Sequence, residues 1–156
     1  MIDCCLDTCV LVDLIKGLSR AETAVDQFSQ PGISHVVLGE LLLGTLKSSQ
    51  PEAETRKVLA ALSGITVIHA DPKTSTLYAG TRFALEKLGF PIPQNDMWIA
   101  AAAIQVGVPL VTRDEHFRRV PKLILLEPIP KRGRGGKGRA SGDDAAIKRT
   151  TTGQAL

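Results

Sequence analysis

The sequence has few aromatic residues and few cysteines, and it has no long apolar run. Aromatic side chains make up 4% of the 156 residues, with a single Trp and a single Tyr. Binding of single-stranded nucleic acid by stacking bases on a row of aromatic rings therefore has little support. No apolar run reaches the roughly 18 residues that a membrane-spanning helix requires. The N-terminal residues also lack the features of a signal peptide, so we expect no association with a membrane.

The three cysteines are Cys4, Cys5 and Cys9. An odd number of cysteines within six residues is a poor disulfide framework, and it favours reduced thiols in the cytoplasm. A zinc site has little support either, because no second cluster of Cys or His completes a set of four ligands.

Positive charge is concentrated near the C-terminal end of the sequence. Residues 1–130 contain 12 Lys and Arg against 14 Asp and Glu, whereas residues 131–156 contain 7 against 2. We predict one domain over residues 1–130 and a disordered, basic, Gly-rich tail over 131–156. The tail has two open interpretations, which are weak salt-dependent contact with RNA and a solubilising extension without a further role.

Short apolar runs alternate with helical patterns throughout residues 1–130. We predict strands at 2–6, 32–35, 65–69, 108–111 and 123–126, and helices at 8–16, 21–29, 36–47, 51–62, 72–88 and 95–106. This alternation predicts an α/β fold with a mainly parallel sheet. The helix at 36–47 is apolar on nearly all sides, so we expect it to be largely buried.

Four acidic residues occupy positions from which they can converge. Asp7 directly follows the first strand, and Asp114 follows the fourth. Asp96 lies in the first turn of the last helix, and Glu40 lies within an apolar helix. In parallel sheets, chemistry collects beyond the carboxyl ends of the strands. Several carboxylates together suit Mg²⁺ or Mn²⁺ better than a soft metal.

Each of these acidic residues also has an ordinary structural explanation. Asp7 can cap a helix, Asp96 can interact with a helix dipole, and Asp114 can form a turn. Glu40 can lie on an exposed helix face. The combination of the four, rather than any one of them, indicates a metal site.

Three segments resemble, in order, the motifs of the PIN-domain family and of its VapC-type toxin ribonucleases. They are "CLDTCVLVDLIKG", "ISHVVLGELLLG" and "IPQNDMWIAAAAIQVGVPLVTRDEHFRRVPKLILLEP". The resemblance covers nearly all of residues 2–128. It implies a three-layer α/β/α sandwich with about five strands, and an Mg²⁺- or Mn²⁺-dependent endoribonuclease that cleaves single-stranded RNA with a metal-activated water. It also implies an antitoxin partner and a homodimer to which the helices near 36–62 contribute.

The resemblance implies a role for several residues. Asp7, Glu40, Asp96 and Asp114 would form the catalytic, metal-binding set, and the supporting residues would be Thr8, Cys9, Asn95 and Thr112. Arg113, Arg118 and Arg119 lie beside this set in the sequence, and they are either phosphate-binding residues or surface charges. The family usually has Asn where this chain has Cys9. A thiol is a weaker hydrogen-bond donor than an amide, so we expect a weakened or retuned site.

Two other functions stay open at this point. The chain could be a PIN-type nuclease of RNA processing that is not a toxin, or a non-catalytic RNA-binding module. Among the histidines, His35 and His69 are expected to be structural. His116 lies near Asp114 in the sequence, but it is not part of the predicted set.

Overall fold

The computed structural model describes residues 1–127 and the backbone of Arg149–Thr151. The strands are β1 (Cys4–Leu6), β2 (Pro31–Ser34), β3 (Thr66–Ile68), β4 (Leu110–Val111), β5 (Ile124–Leu126) and β6 (Arg149–Thr151). The helices are α1 (Thr8–Ile15), α2 (Ser19–Val25), α3 (His35–Leu46), α4 (Pro51–Ala61), α5 (Pro72–Lys87) and α6 (Gln94–Val106), with a 3₁₀ helix at Glu115–Arg119. Apart from β6, the predicted disordered tail at 131–156 lies outside the described residues.

The strands form one sheet in the order β3-β2-β1-β4-β5-β6. Strands β1 to β5 are parallel, and β6 pairs antiparallel with β5. The predicted α/β fold with a mainly parallel sheet is therefore confirmed. Chain order reverses at β1, which pairs with β2 on one side and with β4 on the other. This reversal is a topological switch point, where parallel sheets open a crevice beyond their carboxyl ends.

The core lies where the two central strands meet helix α6. The side chains of β1 are completely buried, and those of β4 are at most 2% exposed. A run of four alanines, Ala100–Ala103, is at most 1% exposed, so α6 is buried on all sides here, between the sheet and α5. Small side chains allow this helix to approach the sheet closely. The N-terminus of α6, which carries Asp96, is thereby fixed near the ends of β1 and β2.

Polar residues at the carboxyl ends of strands begin the helices that follow. Asp7 caps α1 by accepting a hydrogen bond from the backbone N–H of Thr8. Ser34 caps α3, and its hydroxyl oxygen accepts from the backbone N–H of Val37 at 3.2 Å. Asp114 caps the 3₁₀ helix after β4. Since these strands are parallel, their caps lie along the same rim of the sheet.

The prediction that the helix at 36–47 is largely buried is wrong. In α3 the buried side chains are Val37, Leu41 and Thr45, whereas Leu42, Leu43 and Leu46 are 36%, 50% and 73% exposed. One side of α3 packs among β2, β3, α1, α4 and α6, whereas these leucines on the opposite side stay exposed within residues 1–127. Exposed apolar side chains in one patch are typical of an interaction surface.

Helices α5 and α6 are joined by an aromatic pair. The rings of Tyr78 and Trp98 stack with their centroids 4.0 Å apart and an interplanar angle of 11°. Trp98 is partly buried and Phe117 is 1% exposed, so both side chains serve in packing. Within the described part of the chain, no helix has the length and apolar character needed to cross a bilayer.

Candidate active site

Asp7 lies at the centre of the site, between the ends of β1 and β4. Its side chain is buried, and both carboxylate oxygens accept hydrogen bonds. Oδ1 accepts from the backbone N–H of Thr8 at 2.7 Å. Oδ2 accepts from the hydroxyl of Thr112 at 2.6 Å and from the thiol of Cys9 at 3.2 Å. Asp7 therefore caps α1 through Oδ1 and contacts Thr112 and Cys9 of the site through Oδ2.

Thr112 connects Asp7 to Asp114. Its hydroxyl donates to Asp7 and accepts from the backbone N–H of Asp114 at 3.0 Å. The Cys9 sulfur lies 3.7 Å from the same hydroxyl oxygen. Thr112 is 2% exposed, so these bonds form away from bulk water. One buried hydroxyl thus fixes the relative position of two acidic residues from different strands.

Glu40 is held by one hydrogen bond on each oxygen. Oε2 accepts from the hydroxyl of Thr8 at 2.5 Å, and Oε1 accepts from the side-chain amide of Asn95 at 2.7 Å. Glu40 is partly buried on α3, Thr8 begins α1, and Asn95 lies in the first turn of α6. The structure therefore brings Glu40 into contact with the two elements that carry Asp7 and Asp96.

Asp96, Asp114 and His116 form a compact group. One ligand atom from each of the three lies within 4.8 Å of the others. The imidazole Nδ1 of His116 is 3.1 Å from Oδ1 of Asp114 and 3.9 Å from Oδ2 of Asp96. The backbone N–H of His116 also donates to Asp114 at 2.8 Å. His116 is thus placed at the site by the 3₁₀ turn that Asp114 caps.

The electrostatic field of the site is strongly negative. Burial and the neighbouring carboxylates of Asp114, Asp7 and Glu40 together raise the pKa of Asp96 to about 6, against a lowering by His116. Burial also raises the pKa of Asp7, against the lowering effect of the hydrogen bond from Thr112. In both residues burial is the largest cause, and repulsion among the carboxylates adds to it.

The donor set fits a hard divalent cation. Asp96 and Asp114 offer carboxylate oxygens within reach of one ion, and Asp7 and Glu40 contribute charge to the same place. Oxygen ligands suit Mg²⁺ and Mn²⁺, and His116 adds a nitrogen that Mn²⁺ accepts more readily than Mg²⁺. A cation here would remove the repulsion that raises the pKa of Asp96.

The three arginines that follow β4 have separate surroundings. Arg113 forms an ion pair with Asp13 on α1 at 2.8 Å. Arg118 pairs with Glu127, and the guanidinium of Arg119 lies 5.1 Å from the centre of the Phe90 ring. Arg113 also lies 3.5 Å from the backbone carbonyl oxygen of Cys9, so it contacts α1 beside Asp7.

The sequence did not single out the ion pairs of Asp13 beside the site, and it left His116 out of the predicted set. Asp13 is buried on α1 and binds both Arg20 and Arg113. A signal for it existed, because Asp13 follows Cys9 by four residues and so lies on the same helix face. A signal for His116 existed too, since a 3₁₀ turn after a capping Asp brings the second residue back toward the cap.

Comparison with known proteins agrees with this geometry. The model of the PIN domain family matches residues 4–123. The chain is 38% identical over 94 residues to "Ribonuclease VapC2" of Rickettsia felis, an alignment that covers 60% of this chain and 70% of that protein.

Two solved structures share the fold. The crystal structure of VapBC2 from Rickettsia felis bound to a DNA fragment from its promoter gives a TM-score of 0.77 at 33% identity, covering 81% of this chain and 98% of that chain. A toxin-antitoxin complex from Klebsiella pneumoniae gives a TM-score of 0.61 at 26% identity, covering 74% and 90%. The family match spans well over half of the sequence, and the strand-end carboxylates lie within it. The chain therefore belongs to the PIN-domain family, as a VapC-type member.

Proposed function

We propose that this protein is a metal-dependent endoribonuclease that acts as the toxin of a toxin–antitoxin pair. The observation that carries the proposal is the group of acidic side chains at the β1/β4 switch point, held by Thr8, Asn95 and Thr112. Similarity to a ribonuclease and to a toxin-antitoxin complex supports the same conclusion. The substrate would be single-stranded RNA, whose phosphodiester backbone is accessible from an open rim.

We assign the metal site to Asp7, Asp96 and Asp114, with Glu40 beside them, and the ion to Mg²⁺ or Mn²⁺. Such an ion, when bound, lowers the pKa of a coordinated water and supplies positive charge to the phosphodiester. The chain's own contribution is preorganisation. Hydrogen bonds to both oxygens of Asp7 and both of Glu40 keep these carboxylates in one orientation before substrate arrives.

The cytoplasm is the compartment that suits this chain. Its three cysteines are free, and Cys4 and Cys5 are buried. Burial raises the pKa of both thiols to about 12, so they stay protonated and unreactive. This chemistry fits a reducing compartment.

A groove beside the site supports the proposal of an antitoxin partner. It has a volume of about 250 Å³ and lies between α1, α3 and α4. Val12, Ile15, Leu41 and Val58 give it an apolar lining, and Glu40 and Thr8 of the acidic site also line it. An antitoxin segment with an apolar face and one Arg or Lys would bury the apolar lining and pair its cation with the acidic cluster.

The exposed leucines of α3 support the proposal of a homodimer. Leu42, Leu43 and Leu46 are exposed on α3, and Leu59 is 58% exposed on α4, all within the helices at 36–62. Burying them against a second copy would remove apolar area from water.

The nuclease proposal is tested by RNA cleavage with purified protein. Unstructured RNA is offered with Mg²⁺, Mn²⁺ or EDTA, to the wild type and to Asp96→Asn. We expect cleavage with the metals only, and a loss of at least about 100-fold in Asp96→Asn, because a ligand and its charge are removed. Cleavage that persists in EDTA, or that is undiminished in Asp96→Asn, contradicts the proposal. Arg56→Gln, a change on the exposed face of α4, serves as the matched control.

Expression in cells separates a toxin from an RNA-processing nuclease. We expect growth arrest by the wild type, relief by the protein of a neighbouring gene, and no arrest by Asp7→Ala. Normal growth during expression of protein that is active in vitro assigns the chain to RNA processing instead.

A further inference from the structure

We propose that Arg20 and Arg113, held by the buried carboxylate of Asp13, form a binding site for an RNA phosphate that neighbours the scissile one. The inference rests on the proposed ribonuclease function and adds a substrate subsite to it. It concerns a cluster outside the acidic site, formed by the end of α1, the start of α2 and the residue after Thr112.

The contacts of Asp13 define the cluster. Oδ2 of Asp13 lies 3.0 Å from Nε and 2.8 Å from Nη2 of Arg20, and 2.8 Å from Nη2 of Arg113. The Asp13 side chain is 8% exposed, whereas those of Arg20 and Arg113 are 35% and 42% exposed. The carboxylate is therefore inside the protein, and the two guanidinium groups reach the surface from it.

The charge of the cluster exceeds what a structural ion pair needs. One buried carboxylate is neutralised by one guanidinium, and the second leaves a net charge of +1. Each guanidinium has five N–H donors in a planar fork, which is more than one carboxylate oxygen can accept. Each guanidinium therefore keeps N–H donors for a further anion. Its contact with Asp13 already fixes its orientation.

The cluster lies directly beside the acidic site. Arg113 stands between Thr112 and Asp114 in the chain, and its Nη2 lies 3.5 Å from the backbone carbonyl oxygen of Cys9. The thiol of Cys9 donates in turn to Asp7. A strand of RNA with one phosphate at Asp7 and Asp114 therefore passes next to Arg113 and Arg20.

Electrostatics favour a phosphate as the ligand of this cluster. The acidic site repels a polyanion on approach, and a neighbouring positive group offsets that repulsion. Planar guanidinium groups bind phosphate oxygens in pairs, with charge-assisted hydrogen bonds. The two arginines thus bind the RNA phosphate beside the scissile bond. The carboxylates would bind the metal ion at the scissile phosphate.

RNA binding and its salt dependence test this role without requiring cleavage. Arg20→Gln and the control Arg56→Gln are each placed in the Asp96→Asn background, and binding of single-stranded RNA is measured from low to high salt with Mg²⁺ present. We expect Arg20→Gln to weaken binding by about five- to tenfold. It should also lower the slope of log K against log salt by about 0.7, the change for one lost phosphate contact on a single strand. Equal affinity and equal slope for the two variants overturn the proposal.

Substrate length gives a second test, with wild-type carboxylates. A dinucleotide with one phosphodiester has no neighbouring phosphate, whereas longer oligonucleotides have one. We expect Arg20→Gln to raise KM about five- to tenfold for the longer substrates, with kcat unchanged, and to leave KM for the dinucleotide unaltered. An equal effect on both substrates, or none on either, contradicts a phosphate subsite.

Two further comparisons keep the outcomes distinct. Thermal unfolding is measured for every variant, and Arg20→Lys, which keeps the charge but loses the fork, replaces Arg20→Gln if the latter does not fold. We expect the lysine variant to retain the salt slope and to lose part of the affinity.

If the wild type cleaves no RNA, the ribonuclease proposal fails. Normal cleavage with identical RNA binding by Arg20→Gln and Arg56→Gln refutes only the subsite.

Discussion

Thr112 and Asp7 are joined by a 2.6 Å hydrogen bond although 105 residues separate them in the chain. The bond crosses between neighbouring parallel strands, β1 and β4, just beyond their carboxyl ends. Thr112 also accepts from the backbone N–H of Asp114, so its hydroxyl is used as both donor and acceptor. The position of the acidic cluster therefore depends on one buried hydroxyl.

Replacing Thr112 by Val removes the hydroxyl and keeps nearly the same shape. We expect this change to lower both the stability of the fold and the rate of RNA cleavage. In Thr112→Val, Oδ2 of Asp7 loses its strongest donor and the N–H of Asp114 loses its acceptor. We expect the free energy of unfolding to fall by about 1–3 kcal/mol and RNA cleavage to fall about 10- to 100-fold. Denaturant unfolding and initial cleavage rates measure the two effects. Thr112→Ser keeps the hydroxyl, and it should retain most of the activity.

Cys9 should act on activity through its hydrogen bond to Asp7. Burial, with the Asp7 carboxylate nearby, raises the pKa of the Cys9 thiol, so it stays protonated and donates to Oδ2. A thiol donor is weak, and an amide is stronger. We expect Cys9→Ala to lower the cleavage rate and Cys9→Asn to raise it above the wild type, each by about two- to tenfold. A rate for Cys9→Asn below that of Cys9→Ala would contradict this role.

Metal binding should stabilise the fold more at neutral than at acidic pH. Asp96 has a pKa of about 6 in the folded chain, above its ordinary value of 3.8. The native state thus binds this proton more tightly than the unfolded state. The free energy of unfolding of the metal-free protein therefore falls as pH rises from about 4 to about 6, and the loss persists above that range.

A divalent cation competes with this proton for Asp96. The apparent affinity for Mn²⁺ should be about tenfold weaker at pH 5 than at pH 7, because most of Asp96 is protonated at pH 5. Thermal unfolding with increasing Mn²⁺ at the two pH values measures the difference. Asp96→Asn should abolish most of the Mn²⁺-dependent stabilisation, and it should make the metal-free protein more stable at pH 7 than the wild type. A metal effect independent of pH excludes Asp96 as the titrating ligand.

Neighbouring leucines of α3 should differ sharply in their effect on stability. Leu41 is 5% exposed, whereas Leu46 is 73% exposed. We expect Leu41→Ala to cost about 2–5 kcal/mol, since it leaves a cavity. Leu46→Ala should change the stability of the monomer by less than about 0.5 kcal/mol. Denaturant unfolding at low protein concentration measures the stability of both variants. Similar losses of stability would show that Leu46 is also buried in the monomer.

The positions of Asp7 and Asp114 follow from local sequence, and for this reason they could be predicted. Asp7 directly follows β1, Asp114 follows β4 after Thr112 and Arg113, and each caps the helix after it, so both positions depend on nearby residues. Parallel pairing then places the ends of β1 and β4 together. The family resemblance, and not this local reasoning, implied Asn95 as a supporting residue, and the structure places its amide on Glu40.

The exposed side of α3 and the Asp13 cluster could not be predicted in this way. Hydrophobicity alone does not distinguish a core contact from a surface that a partner covers, so Leu43 and Leu46 were expected to be buried. The pairing of Asp13 with Arg113 joins residues 100 positions apart, and it depends on the packing of α1 against the segment after β4. Long-range ion pairs of this kind have no periodicity that reveals them in a single sequence.

The stacked pair of Tyr78 and Trp98 gives the protein an internal optical probe. Trp98 is the only tryptophan in the sequence, Tyr78 the only tyrosine, and Trp98 follows Asp96 by two residues on α6. With the rings 4.0 Å apart, excitation of Tyr78 passes to Trp98, so the folded protein emits as a tryptophan. Separation of α5 from α6 restores tyrosine emission. Ion binding at Asp96 would leave this stacked pair intact and act on the tryptophan emission alone, so one spectrum would distinguish loading of the site from loss of the fold.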